Sequence, residues 1–377
     1  MDQTDRTDPI PLVDLRAAHA EVEEEIRAGF DRVLADTAFI GGEEVREFER
    51  EYAEFGGVRH CVGVANGTDA LELALRASGV GAGDEVVLPA NTFIATAGAV
   101  ARAGARPVLV DCEPDTLLID PRAALAAVGA ATRAVVPVHL YGQCADVAAL
   151  AEGLPGHVRI VEDAAQSQGA SRQGRTPGRG GIAATSFYPG KNLGAYGDAG
   201  AVLTDDAEAA ALVRAVANHG GVHKYRHDVP GFNSRLDGLQ AVVLRAKLRR
   251  LAAGNEARRR AAARYDELLA PLAEAGRVVR PVTADGTVHV WHLYVVRVPG
   301  ADRDAVVGKL NASGIGAGVH YPTPVHLTPA YRHLGHARGD FPHAERAAGE
   351  ILSLPLFPQI THDRQRRVVD ALAHALG

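Results

Sequence analysis

One lysine of this 377-residue chain stands where a lysine can do covalent chemistry. Lys191 falls in Ser186-Phe187-Tyr188-Pro189-Gly190-Lys191-Asn192-Leu193-Gly194, where Pro189 and Gly190 end an apolar run and a glycine-containing turn follows. That spacing predicts a lysine held on a turn at a sheet's edge, where α/β proteins bind ligands. A lysine desolvated there has a lowered pKa and can form a Schiff base. A solvated loop lysine would have the same local sequence, so the turn alone leaves both readings open. Competitors are few. Arginine supplies 36 of the 40 basic side chains, leaving only Lys191, Lys224, Lys247 and Lys309. Lys247 reads as part of a charged helix face, and Lys309 lies on a helical stretch. Lys224 sits in the polar cluster His223-Lys224-Tyr225-Arg226-His227, which suits an anion.

Two acids close the apolar run in Val161-Glu162-Asp163-Ala164-Ala165-Gln166. A pyridoxal phosphate (PLP) site needs a carboxylate facing the pyridine nitrogen, so that the ring stays protonated and acts as an electron sink. Asp163 suits that task, with Gln166 reaching the ring hydroxyl; a helix N-cap is the other use of such an Asp. In Asn66-Gly67-Thr68-Asp69-Ala70-Leu71, free backbone N–H groups at a helix start make a phosphate cradle, with Gly67 permitting close approach and Thr68 adding a hydroxyl. Capping alone would also explain Thr68-Asp69. The glycines at 79–83 precede a strand and those at 314–318 follow a helix, so neither is a dinucleotide fingerprint, which needs strand, glycines, then helix. His289-Val290-Trp291-His292 lacks a Cys or acidic partner and reads as structural, with no metal expected.

The elements that must position these residues alternate. Apolar runs at 60–65, 85–89, 107–111, 134–140, 158–162, 185–188 and 201–204 read as strands, with helical patterns such as 68–78 and 97–103 between them. That alternation predicts an α/β fold with a mostly parallel central sheet covered by helices. Amphipathic helices are expected before it at 16–34 and 43–55, and helices after it at 206–218 and 236–272. Strands at 289–298 and 318–321, with helices at 303–313 and 364–376, imply a smaller C-terminal α+β domain.

Composition bounds the rest. Hydrophobic residues make up 47% and charged residues 23%, which excludes disorder as a class. The net charge of −6 argues against a general nucleic-acid binder. No apolar run reaches the ~18 residues of a membrane span. The polar N-terminus lacks an apolar signal core, and Cys61, Cys112 and Cys144 read as reduced thiols, so a cytoplasmic protein is expected.

Each motif is weak alone, but their order is specific. With Asn233-Ser234-Arg235-Leu236-Asp237 following the lysine turn, the chain resembles the DegT/StrS family of nucleotide-sugar aminotransferases, from Pro11-Leu12-Val13-Asp14-Leu15 to Leu352-Ser353-Leu354-Pro355. Trp291-His292-Leu293, His320-Tyr321-Pro322 and Pro324-Val325-His326-Leu327 share the likeness. The resemblance implies the fold-type I PLP architecture, with a cofactor-binding large domain at 1–245 and a linker helix plus small domain at 246–377. It implies that Lys191 carries PLP as a Schiff base and shuttles the proton, that Asp163 pairs with the pyridine nitrogen and that Gln166 bonds the ring hydroxyl. Phe93, in Asn91-Thr92-Phe93-Ile94, would stack on the ring, and Gly67, Thr68 and Ser186 would hold the phosphate. Asn233 would reach that phosphate from a neighbouring subunit, making a homodimer with shared sites. Tyr188, Lys224, Tyr225, His320 and Tyr321 are the candidates for sugar-nucleotide contacts.

Family dehydratases carry a histidine in place of the lysine, so Lys191 implies transamination. Gly-Lys-Asn-Leu-Gly after Ser-Phe-Tyr-Pro is most similar to members that aminate C3 of a keto-sugar, here a dTDP-linked keto-deoxysugar with glutamate as donor. The Arg-rich composition and the likeness together suggest a bacterial antibiotic or surface-glycan sugar. Amination at C4, another PLP reaction on a sugar nucleotide, and a PLP-binding regulatory protein without turnover are the alternatives. Ala199 in Gly197-Asp198-Ala199-Gly200 departs from the family's usual glycine and is expected to narrow that loop.

Overall fold

Between residues 60 and 204, the apolar runs bounded by glycine, proline and acidic residues form strands. The structure, a computed structural model, describes residues 8–377 except 222 and 224. Its strands are β1 (His60–Val64), β2 (Glu85–Pro89), β3 (Arg106–Val110), β4 (Thr132–Val135), β5 (Arg159–Asp163), β6 (Ser171–Arg172), β7 (Ile182–Ser186), β8 (Gly200–Thr204), β9 (Thr287–Val288), β10 (Tyr294–Arg297) and β11 (Ile351–Leu354). Seven of them form one sheet in the order β1-β8-β7-β5-β4-β2-β3. β8 runs antiparallel to both neighbours, and the remaining pairs are parallel. β10 and β11 pair antiparallel in a separate small sheet. The fold is therefore α/β with a mostly parallel sheet.

Helices cover this sheet because its strands are apolar on both faces. The helix Gly67–Ala77 buries Ala70, Leu71, Leu73, Ala74 and Leu75 in the main core with Val62, Val64, Ala184 and Val202. Full burial of each leucine contributes about 1.5–3 kcal/mol. A second core gathers Tyr265, Tyr294, Val296, Leu352, Leu354 and Val368 from the last third of the chain. Ile10 is buried in it too, because its backbone bonds Gly314 and Gly316.

Several expected elements differ in extent. The helix expected at 16–34 is two, Leu15–Ala20 and Glu23–Asp36. The strand expected at 134–140 stops at Val135, since Pro137 has no N–H for the ladder. The helix expected at 236–272 spans Gly238–Leu268, and a short one at Ala270–Glu274 restarts around Pro271. The run 289–298 is interrupted at Trp291, whose φ of 48° is left-handed, so only Tyr294–Arg297 stays in a ladder. At 318–321 only Gly318 pairs, with Ser353. The sequence reading missed β11, which follows the helix Pro342–Glu350 with no turn residue between them.

Candidate active site

The candidate residues collect at the C-terminal ends of the sheet's strands, the expected binding edge of an open α/β sheet. Gly67 follows β1, Phe93 follows β2, Asp163 ends β5 and Ser186 ends β7, with Lys191 on the turn beyond. Asn66 caps the helix Gly67–Ala77, its side chain accepting from the Asp69 N–H at 2.8 Å. The first amides of that helix have no intrahelical acceptor and point out of its start. A Cβ on Gly67 would lie 2.5 Å from the Ser186 Cβ, so only glycine lets the helix start meet the end of β7. The Ser186 hydroxyl accepts from the Tyr188 N–H at 3.2 Å, which leaves its own hydrogen to donate. Together these groups form an anion cradle.

Asp163 is 5% exposed. One carboxylate oxygen accepts from the Thr96 hydroxyl at 2.8 Å and the other from the Ala165 N–H at 3.1 Å. Burial raises its carboxyl above the ordinary value, while Thr96, Ala165 and the Lys191 charge pull it back. Lys191 shows the complementary effect. Burial pushes its ammonium down to about 8, and the charge of Asp163 opposes that shift. A carboxylate and an amine at this edge thus each feel the other.

Gln166 is fixed from both ends. Its Oε1 accepts from the Tyr141 N–H at 2.6 Å, and its Nε2 donates to the Tyr321 hydroxyl at 3.0 Å. Phe93 is 49% exposed and lies 5.1 Å, centroid to centroid, from the Tyr321 ring. Tyr321 and His320 therefore belong to the cluster. His320 Nδ1 is 2.8 Å from the Ser353 hydroxyl, and burial beside Lys191 lowers its imidazole to about 4. Tyr188 lies on the Lys191 turn and is 60% exposed.

Other expected residues lie apart. Asn233 pairs with Asn218 and lines a depression with Ile40, Ala65, Asp198, Arg235 and Gln240, outside the group around Lys191. Tyr225 is 86% exposed on the loop that follows Asn218. Lys224 lies outside the described residues. Ala199 packs in a core with Phe48, Phe187 and Leu236, where a methyl is accommodated. The sequence reading missed Thr96, Tyr141 and Asn192. It also took His292 as purely structural, yet this buried imidazole sits near Lys191, and burial with that charge holds it well below its usual value. Thr96 carried one usable signal, its place one turn after Asn91-Thr92-Phe93; Tyr141 carried none.

A buried carboxylate, an amine with lowered pKa and an anion cradle on one sheet edge define a PLP-type site. The model of the DegT/DnrJ/EryC1/StrS aminotransferase family matches residues 20–373, and the chain belongs to that family. It is 46% identical to a Streptomyces venezuelae dTDP-3-amino-3,4,6-trideoxy-alpha-D-glucose transaminase over 97% of this chain and 96% of that one. It is 45% identical to a "Pleiotropic regulatory protein" of Geobacillus stearothermophilus over 97% of this chain and 98% of the other. The crystal structure of S. venezuelae DesV in complex with a ketimine intermediate superimposes with a TM-score of 0.93 at 45% identity, covering 98% of this chain and 99% of DesV. The protein is an aminotransferase of the PLP-dependent kind. The residues present fit that cofactor. The glycine-shaped cradle suits its phosphate, Asp163 its pyridine nitrogen and Lys191 its aldehyde.

Proposed function

We propose that this enzyme transfers the amino group of glutamate to C3 of a dTDP-linked keto-deoxysugar, with Lys191 and Asp163 as its catalytic residues. The observation that carries the reading is the charge interaction between Lys191, lowered to about 8, and the buried Asp163 at one sheet edge. Bound PLP supplies an electron sink. Asp163, aimed by Thr96 and the Ala165 N–H, keeps a proton on the pyridine nitrogen. Burial makes the Lys191 ammonium give up its proton more readily than an ordinary lysine, and Lys191 moves the proton at the substrate carbon. Gln166, its orientation set by Tyr141 and Tyr321, donates to the ring hydroxyl. Phe93 covers the ring, and Gly67, Thr68 and Ser186 hold the phosphate. Tyr188, Lys224, Tyr225, His320 and Tyr321 bind the sugar nucleotide.

The C3 assignment is supported by the name of the S. venezuelae relative and by the sequence around Lys191. Amination at C4 is the rival reaction. Turnover with 3-keto and 4-keto sugar nucleotides, followed by product analysis, separates them; a product aminated only at C4 would overturn the assignment. The name of the Geobacillus relative favours a second reading, a regulatory protein without turnover. Multiple turnovers with any keto-sugar acceptor remove it.

The working unit by this reading is a homodimer in which Asn233 completes the partner's phosphate site. Exposed Leu34, Phe39 and Ile40 support it, because Ile40 lines the same depression as Asn233. Mixing Lys191→Ala chains with Asn233→Ala chains should restore activity that neither has alone; no restoration would sink the shared site. A large domain at 1–245 and a small one at 246–377 complete this reading. A cytoplasmic location accords with three free, buried thiols. Among the described residues, no helix is long and apolar enough to cross a membrane.

A further inference from the structure

The turn that carries Lys191 makes few backbone bonds of its own. The Lys191 N–H donates to the Tyr188 carbonyl at 2.8 Å, and the Ala195 N–H to the Phe187 carbonyl at 2.8 Å. Three side chains of one helix, Gly238–Leu268, hold the rest. Asn255 Oδ1 accepts from Asn192 Nδ2 at 2.9 Å, Lys247 Nζ donates to the Gly194 carbonyl at 2.7 Å, and Gln240 Oε1 accepts from the Tyr196 N–H at 2.8 Å. Residues 240, 247 and 255 fall within about 80° on the helix, so one face of it meets the turn residue by residue, in reverse order. Lys247, whose sequence reads as part of a charged helix face, is thus spent on the turn. It lies over the Tyr196 ring, 4.6 Å from the centroid.

Asn255 differs from the other two. It is 3% exposed, and its Nδ2 donates to the Gln168 carbonyl at 2.8 Å. Gln168 follows Asp163 and Gln166 on the loop after β5. That loop is pressed against the amide, since a Cβ on Gly169 would lie 2.9 Å from Asn255 Nδ2. Asn192 is equally committed. Its Nδ2 also donates to the Val290 carbonyl at 2.9 Å, and its Oδ1 lies 3.3 Å from His292 Nδ1. A single buried amide therefore joins the segment bearing Asp163 to the segment bearing Lys191, without belonging to either.

We propose that Asn255 is a positioning residue for Lys191: through Asn192 it fixes the lysine's turn, and through the Gln168 carbonyl it sets that turn against the strand end carrying Asp163. The role rests on the assignment of Lys191 as the residue that bonds PLP. A misplacement of ~1 Å costs about 10²-fold in rate. Through Asn192, the Asn255 amide fixes the backbone of the Lys191 turn before the cofactor arrives.

The test uses the cofactor-free full-length protein and the Asn255→Ala variant, with Asn192→Ala as a second variant on the same link in case the first fails to fold. Bond formation between the Lys191 amine and the PLP aldehyde, with loss of water, is followed by absorbance and by borohydride trapping on the Lys191 peptide. Affinity for pyridoxamine phosphate, which makes no bond to Lys191, is measured in parallel. We expect trapping on Lys191 to slow by roughly 10- to 100-fold while pyridoxamine phosphate affinity is unchanged. An equal loss in both would mean that Asn255 supports the whole cradle, and an unchanged trapping rate would mean that it supports nothing; either overturns the role. Absence of label on Lys191 in the unaltered protein would instead overturn the lysine's own assignment.

Discussion

Glu162 and Asp163 are neighbours on one strand, and their surroundings are opposite. Consecutive strand residues face opposite sides of a sheet. Glu162, 1% exposed, turns to the side where Arg175 clamps it with two bonds of 2.8 and 2.7 Å, His139 approaches at 3.0 Å and the Gly178 N–H donates at 3.0 Å. Burial alone would raise its carboxyl, but the His139 and Arg175 bonds outweigh burial and hold it at about 2. Among the described residues, Asp163 has only the Thr96 hydroxyl and one backbone N–H within bonding distance, and burial wins. One acid is saturated with donors and is structural. The other is left short of them, on the side where a cofactor can supply the missing partner.

That contrast predicts changes of activity without loss of stability on the Asp163 side, and the reverse on the Glu162 side. The largest effect should come from Lys191→Ala. We expect kcat to fall by roughly 10³-fold or more, within the range of positioned proton transfer. Its unfolding midpoint in urea should not fall, because burial already disfavours the Lys191 charge. Full activity in that variant would break the comparison. Asp163→Asn should cost on the order of 10²-fold in kcat. Its stability effect sharpens the contrast through its sign. Because the folded Asp163 carboxyl is raised, its contribution is full below the ordinary carboxyl range and is lost as pH rises through its folded value. The cofactor-free Asn variant should therefore unfold at a higher urea concentration than the unaltered protein at neutral pH, with the gain vanishing in acid.

Glu162→Gln should do the opposite, removing about 3 kcal/mol of stability by leaving Arg175 and its neighbours without their counter-charge. The folded Glu162 carboxyl is depressed, so its contribution is full above the ordinary value of 4.5 and is lost as pH falls toward about 2. Urea melts across that acid window would show it, and a variant as stable as the parent would refute the structural role. The smallest change is Thr96→Val, which removes a bond to a charged acceptor worth about 1.5 kcal/mol, or near tenfold in kcat. The Asp163 carboxyl should rise further, shifting the acid limb of the pH–rate profile to higher pH. An unmoved limb would mean that Thr96 does not tune Asp163.

The sheet was legible because its signals are local. Five-residue apolar runs bounded by glycine, proline and acids, separated by helix-period stretches, suffice to mark β1, β2, β3, β5 and β8. Legibility failed where a distant contact overrode the local pattern, as at Trp291, whose left-handed backbone sits where its carbonyl accepts from Arg258 at 3.2 Å and the Val290 N–H before it donates to the Gly142 carbonyl at 2.9 Å. Of the site, the strand-end motifs around Gly67, Asp163 and Lys191 could be read directly. Asn255 and the altered role of Lys247 could not, because their partners lie 63 and 53 residues away in sequence, and Thr96 showed its place one turn after Asn91-Thr92-Phe93 but not the Asp163 that it meets 67 residues on.

The local pattern of the chain was enough to mark the alternation of strand and helix, the edge at which a site opens and a lysine on that edge, while the Schiff-base role of that lysine came from the family resemblance and not from the turn. Which way each neighbour turns came from the packing of distant segments: Asp163 lies on the Lys191 side, while Glu162 is spent on Arg175. That packing alone decided that one helix face registers the Lys191 turn, and that Asn233 stands outside the cluster. Periodicity within a segment is fixed by backbone geometry, whereas the partner that a side chain meets depends on which distant segments pack together.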